Sequence, residues 1–300
     1  MKEVVSVSIG SSKRNHEVTV EVMGEDFLLK RIGTDGDINK AIEIINDIDG
    51  KVDAIGLGGI DFYIFSKSKR YTIRDSKQFF EAAKKTPIVD GSGLKNTLER
   101  RVIRQLHNQG LVDFANSNVM VVCGMDRFGM ADEIEKFTEN VIIGDLMFIL
   151  GLGIPLHSLD SLNRVAKVLA PIAIRLPFSV LYPTGEKQNE VVEKFGKHYQ
   201  WADIIAGDFL LIKQHMPKNL LGKTIITNTT TKDDVEDLRK RGVELLVTTT
   251  PELNGRSFGT NVMESMLVAL SGKNQELTED EYMELLDQLN FQPRCLWLQK

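Results

Sequence analysis

The sequence predicts an α/β protein with a Rossmann-like, doubly wound parallel sheet in its C-terminal part and a smaller N-terminal α/β domain. Three observations predict it. Short runs of strand length, such as "VVSVSIG", "VDAIGLGG", "ADIIAGD", "KTIITNT" and "ELLVTTT", recur along the 300 residues. The last three have short apolar cores, as in parallel strands buried on both faces. Helical patterns such as "TKDDVEDLRKRG" separate them, which is the alternation that builds α/β layers.

In order along the chain, "VVSVSIG" is a β run and "HEVTVEVMGEDFLLKRIG" a hairpin turning at "MGED". "GTDGDINKAIEIINDIDG" follows as a capped helix. Asp35 or Asp37 serves as its N-cap, Ile38, Ala41, Ile42 and Ile45 form its apolar stripe, and Gly50 ends it. "VDAIGLGG" is a buried strand, "SKQFFEAAKK" a helix, "TPIVDG" a short strand and "GLKNTLERRVIRQLHNQG" a longer helix. A second βα series opens at Asn118. It runs through "VMVV", a helix, "VIIGD", the helix "SLDSLNRVAKVLAPIAIRLP" ending near Pro171 and Pro177, and the polar stretch "YPTGEKQNE". Three more strands and the helices "GTNVMESMLVALSG" and "TEDEYMELLDQL" complete it. A chain of this length exceeds one usual domain, and the boundary falls near "GLVDFANSN", giving 1–113 and 114–300.

Composition narrows the function classes. Hydrophobic content of 42% and charged content of 26% describe an ordinary globular chain, and a net charge of −5 gives no reason to seek nucleic acid. Two cysteines make neither a disulfide framework nor a metal motif, and the five histidines show no H-x-x-x-H pairing. The N-terminus lacks the pattern of a signal peptide, so a cytoplasmic protein is expected.

Chemistry is expected first in "CGMDRFG". Gly124 and Gly129 take the outer places of a dinucleotide turn, and Asp145 falls 21 residues after Gly124 at the end of the next strand, where a ribose acceptor belongs. Asp126 stands where the middle glycine should be. Either Arg127 offsets it, by pairing with it or holding phosphate oxygens, or Asp126 caps the following helix. Asp208, Asn228 and Thr250 sit at later strand ends, where open sheets gather ligands. In "VDGSGLKNT", Lys95 stands at a helix start and either holds an anion or moves a proton. Ser6 and Ser8 flank the end of the first strand and can hold a polyol or carboxylate. Arg256, Thr260 and Asn261 suit an anion, and Tyr182 and Lys187 lie in a candidate lid.

Together "VSIGSSKRNHEV", "AIGLGGIDFYI", "VDGSGLKNTLERR", "GDLMF", "YPTGEKQ", "IITNT" and "TTTPELNGRSFGTNVME" give the chain a near full-length resemblance. It resembles bacterial proteins named quinate 5-dehydrogenase or shikimate dehydrogenase-like. The resemblance implies a substrate domain, then a nicotinamide domain, and oxidation of a ring alcohol of a cyclic hydroxy acid. Ser6 and Ser8 match that family's Ser-x-Ser spacing, with Ile9 in place of its proline. Lys95 holds a comparable place without the surrounding N-V-T-x-P-x-K motif, and "GTDG" precedes it rather than following. Gly144 and Asp145 replace the N-R-[TS] of NADP-reading members, which implies NAD over NADP. The expected function is an NAD-linked oxidoreductase. Lys95 is its catalytic residue, Gly124, Arg127, Gly129, Asp145, Asn228 and Thr250 face the cofactor, and Ser6, Ser8 and Asn261 face a small anionic substrate. The alternatives are a nucleotide-dependent phosphotransferase and a non-catalytic binding protein for a small anionic metabolite.

Overall fold

The apolar runs form the strands of two sheets in the computed structural model, which describes residues 1–59, 62–66, 69–173, 192–253 and 256–299. The first sheet contains β1 (Lys2–Ser8), β2 (His16–Val22), β3 (Glu25–Gly33), β4 (Ala54–Gly58) and β7 (Ile88–Val89) in the order β2-β3-β1-β4-β7. All pairings are parallel except β2 with β3. Met23 and Gly24, both at positive φ, make the two-residue hairpin turn whose twist suits the flanking strands. A separate small hairpin, β5 (Tyr63–Ser66) with β6 (Lys69–Thr72), follows β4.

Helices α1 (Ile38–Ile48) and α2 (Lys77–Ala82) cover one face of this sheet, packing on Val5, Val7, Ile55 and Leu57. Asp37 is the N-cap of α1, its side chain accepting from Lys40 N at 2.9 Å. Helix α3 (Ser92–Asn108) leaves β7 toward the second sheet.

The second sheet has β8 (Val119–Val121), β9 (Val141–Ile143), β10 (Ile204–Gly207), β11 (Thr224–Thr227) and β12 (Leu245–Thr248), all parallel. An antiparallel edge strand, β15 (Arg294–Trp297), completes the order β15-β12-β11-β10-β8-β9. A short ribbon of β13 (Glu252–Leu253) and β14 (Arg256–Ser257) lies between β12 and the next helix. The helices are α4 (Phe128–Glu135), α5 (Leu159–Ala173), α6 (Gly196–Trp201), α7 (Phe209–His215), α8 (Lys232–Lys240), α9 (Thr260–Ser271) and α10 (Glu279–Gln288). Helix α5 runs on past Pro171 to Ala173, whereas Pro177 and the stretch 182–190 lie outside the described residues.

Alternate residues of β8 sort the layers. Met120 packs with α6, α7 and α8, while Val119 and Val121 face a central layer holding α3, α4, α9 and α10. Val4, Phe27, Leu29, Ala54 and Val89 of the first sheet belong to that same layer. The molecule is therefore two α/β domains, with parallel-rich sheets either side of shared helices. In chain order the parallel strands read 2-1-3-4 in the first sheet and 2-1-3-4-5 in the second. Both orders reverse beside the first strand, and a crevice opens at the carboxyl ends of such switch points.

Candidate functional site

At the second switch point the chain leaves β8 through Cys123, Gly124, Met125, Asp126 and Arg127 before entering α4. Asp145 follows β9 in a single π-helical stretch, Asp145–Ile149, and turns its buried carboxylate back into this bend. It accepts hydrogen bonds from Gly124 N at 2.6 Å and Met125 N at 2.9 Å. Burial pushes the carboxyl up to about 6, against the pull of those amides. The backbone amides of the glycine turn are thus spent on a carboxylate of the protein itself.

Asp126 does not cap α4, which has no side-chain cap. One of its oxygens accepts from Lys95 Nζ at 2.6 Å, and the other lies 3.0 Å from Arg127 Nε. Arg127 is buried and pairs also with Glu99 of α3 and, at 2.9 Å, with Asp208 at the end of β10. Burial opposes its charge, yet the carboxylates of Glu99, Asp126 and Asp208 raise its pKa well above the ordinary guanidinium value. Burial also raises the Glu99 carboxyl, with Arg127 and Lys95 working the other way. Asn228 Nδ2 donates to Asp208 at 2.9 Å, and Thr250 Oγ1 donates to the backbone carbonyl of Asn228 at 2.9 Å. Asp208 caps α7 through Leu210 N at 2.9 Å.

The first switch point carries a second cluster. Asn261, in the first turn of α9, donates from Nδ2 to Ser6 Oγ at 2.6 Å. Ser8 Oγ accepts from Gly10 N at 3.1 Å and from Arg31 at 2.9 Å. Gly91, at φ +92°, lets α9 approach the start of α3: a Cβ there would lie 2.6 Å from Asn261 N. The two clusters flank the starts of α3 and α9, because Lys95 stands one turn beyond Gly91.

Of the residues singled out in the sequence, Lys95 and Arg127 meet in one ion cluster, and Asn228 and Thr250 adjoin it. Ser6 and Asn261, 255 positions apart, touch. Gly124 packs under Ile143 and Leu162, and Gly129 lies against the backbone of Asn96 in α3 rather than against a strand. The side chain of Arg256 and the candidate lid residues Tyr182 and Lys187 lie outside the described residues. Glu99 and Arg31 escaped the sequence reading. The four-residue step from Lys95 to Glu99 on one helix face was the available signal for the first.

Comparison with known proteins gives a different picture from the dehydrogenase resemblance. No curated protein matches the sequence. A glucose-galactose binding protein from Geobacillus stearothermophilus is 10% identical, with 99% of this chain and 97% of that one covered at a TM-score of 0.40. A carbohydrate transporter solute binding protein from Agrobacterium radiobacter, in complex with D-arabinose, is 11% identical over 99% and 94% at 0.41. The binding component of the arabinose ABC transporter from Shewanella sp. ANA-3 is 10% identical over 96% of both chains at 0.34. At such TM-scores the likeness carries no argument about a ligand.

The quinate and shikimate dehydrogenase resemblance is nonetheless overturned. The families whose models match the chain carry no dehydrogenase description. The expected NAD, or less favoured NADP, falls with it, as does the oxidoreductase reading. The physical reason lies in the turn: Asp145 takes the amides meant for a pyrophosphate, so it is no ribose acceptor, and Arg127 is held by three carboxylates rather than presented to a phosphate. Residues 3–90 match a family described as "Domain of unknown function (DUF8753)". Residues 93–298, more than half of the chain, match "Domain of unknown function (DUF8754)", and it is to this family that the chain belongs.

Proposed function

We propose that this protein reversibly binds a small, uncharged, polyhydroxylated metabolite at the carboxyl ends of β8, β10 and β11. One observation carries the reading: Asp126 and Asp208 each hold a buried cation on the inner side while their side chains stay 21% and 22% exposed. Carboxylates fixed in this way accept hydrogen bonds from hydroxyl groups without having to reorganise, and such charge-assisted bonds are the strong ones. The amide of Asn228 stands beside them. Lys95 and Arg127 are matched by Asp126, Asp208 and Glu99, so the cluster has no surplus positive charge with which to attract an anion. This supports a neutral ligand over the anionic one expected from sequence. In this reading Lys95 positions Asp126, and Ser6, Ser8 and Asn261 join the start of α9 to β1.

Calorimetry with glucose, galactose and arabinose, alongside quinate as an anionic polyol, tests the proposal. A neutral sugar should bind saturably, and Asp208→Asn should weaken it by roughly 10–100-fold, the worth of a hydrogen bond to a charged group. Circular dichroism should show the variant folded. The reading fails if only quinate binds, or if the loss of the Asp208 charge leaves sugar affinity unchanged.

A further inference from the structure

Between β9 and α5 the chain bulges outward as a compact loop, closed at its neck by Ile143 and Leu156, which exchange backbone hydrogen bonds of 2.7 and 3.0 Å. No polar side chain interrupts the run from Leu146 to Leu156. The base of the loop is sunk in the core: Met147 and Phe148 are buried, and the Phe148 ring lies 5.3 Å from that of Phe195 and 5.8 Å from that of His215. Its tip is the reverse. Residues 149–154, "ILGLGI", are all exposed, and Ile149, Leu150, Leu152 and Ile154 stand between 42% and 56% in solvent. Nothing lies within 4 Å of a Cβ built on Gly151 or Gly153. Backbone bonds from Gly151 N to Met147 O at 3.0 Å and from Leu152 N to Leu146 O at 2.8 Å fix the tip, so these side chains are presented rather than collapsed.

A contiguous exposed apolar patch marks a surface that another body covers. A second copy of the chain is a poor fit, because four half-exposed aliphatic side chains fall short of the ~800 Å² per partner that a standard interface buries. The surroundings are charged instead. His157 follows the loop directly, and burial, then the positive charges of His157 and Lys197, lower the pKa of His198 in α6. Burial also lowers His215, with Lys194 adding to it against the pull of the Val192 carbonyl. The segments 157–168 and 192–198 that flank the loop carry Arg164, Lys167, Lys194 and Lys197 against Asp160 and Glu193. Glu135 of α4 is engaged by Leu159 N at 2.8 Å. An apolar tip inside a rim with surplus positive charge is complementary to a bilayer that has anionic headgroups over an acyl interior. We propose that this loop docks the protein on an anionic lipid surface, with Ile149, Leu150, Leu152 and Ile154 entering the acyl boundary and the neighbouring lysines meeting the headgroups. The inference is independent of the sugar reading, for the loop tip and its rim share no residue with the Asp126 and Asp208 cluster.

The test is flotation of the full chain with vesicles of phosphatidylglycerol and phosphatidylcholine in equal parts, compared with vesicles of phosphatidylcholine alone. The mixed vesicles should carry the protein, and the neutral ones should carry much less. Leu150→Gln and Leu152→Gln should each weaken binding to the mixed vesicles by about tenfold, the worth of burying the exposed half of the side chain. Lys197→Gln should weaken it by roughly fivefold, as expected for one lysine near a charged headgroup layer. All three positions are exposed, and unchanged thermal melting establishes that each variant is folded. Calorimetry with glucose should not distinguish the variants from the parent, which separates this surface from the sugar site. Failure to float with either lipid, equal flotation with both, or binding untouched by the two leucine changes would overturn the assignment. So would a dimer in sedimentation equilibrium that Leu152→Gln dissolves, since a second copy would then be the occupant.

Discussion

Glu264 shows how a single buried acid makes the whole molecule sensitive to pH. One oxygen accepts from Tyr282 Oη and from Leu94 N, and the other has no donor among the described residues. Burial, reinforced by Asp90 and Glu276, pushes the carboxyl up from an ordinary 4.5 to about 8. The folded chain therefore binds this proton more tightly than the unfolded chain. Its contribution to stability is complete below about 4.5 and is lost as pH rises through about 8. Asp145, raised to about 6, adds the same sign at lower pH. Melting temperatures taken from about pH 5 to about pH 8.5 should fall, and Glu264→Gln should flatten the upper part of that fall. A slope identical in both proteins would show that the acid is not the cause. None of this was visible in "NVMESMLVAL", where Glu264 reads as an ordinary helical acid; its burial comes from packing against Tyr282 and Leu94, remote in sequence. Lys95 and Arg127 were identifiable by type and position, but the carboxylates that absorb them were not, because Asp208 lies 81 residues from Arg127.

At the scale of elements, the glycine turn was read correctly as a turn and wrongly as a cradle. Gly129 is the clearest case. A Cβ there would collide with the backbone carbonyl of Asn96 and come within 2.9 Å of its side-chain oxygen, so this glycine sets the separation of α3 and α4. Backbone yields less easily than a side chain, and Gly129→Ala should lower the unfolding free energy by roughly 1–3 kcal/mol, the usual cost of overpacking. Gly196→Ala is the control, since nothing lies within 4 Å of that position and its φ is not positive. Urea midpoints should separate the two variants; equal midpoints would mean that α3 and α4 slide apart freely. The buried parallel strands β10, β11 and β12 were legible because their cores are short apolar runs. Strand β15 was not, since "RCLW" is a short edge strand, half-buried apart from its exposed Trp297. Helices α6 and α7, of six and seven residues, are too short to show a period.

Across the whole molecule, the strand orders and the shared central layer were beyond the sequence, because they depend on which strands pair and on where α9 goes. Helix α9 arises from the second half of the chain yet lies on the first sheet. A Cβ on Gly56 of β4 would meet Ser265 Oγ at 2.8 Å, and Lys2 Nζ donates to the carbonyl of Ala269 at 2.8 Å. Val262, Met263 and Met266 of α9 share one apolar cluster with Val4, Phe27, Leu29, Ala54 and Val89. A fragment ending at residue 113 keeps α1, α2 and α3 but bares this face of its sheet, and a patch of that kind drives association or loosens packing. Residues 1–113 alone should bind a hydrophobic dye and melt without a cooperative transition. Adding 114–300 in trans should quench the dye and restore a transition, because that piece brings α9 and binds only the folded form of its partner. A sharp, dye-free melt of 1–113 by itself would mean that α9 rests on a sheet already complete, and the two halves would then be joined by contact rather than by a shared core.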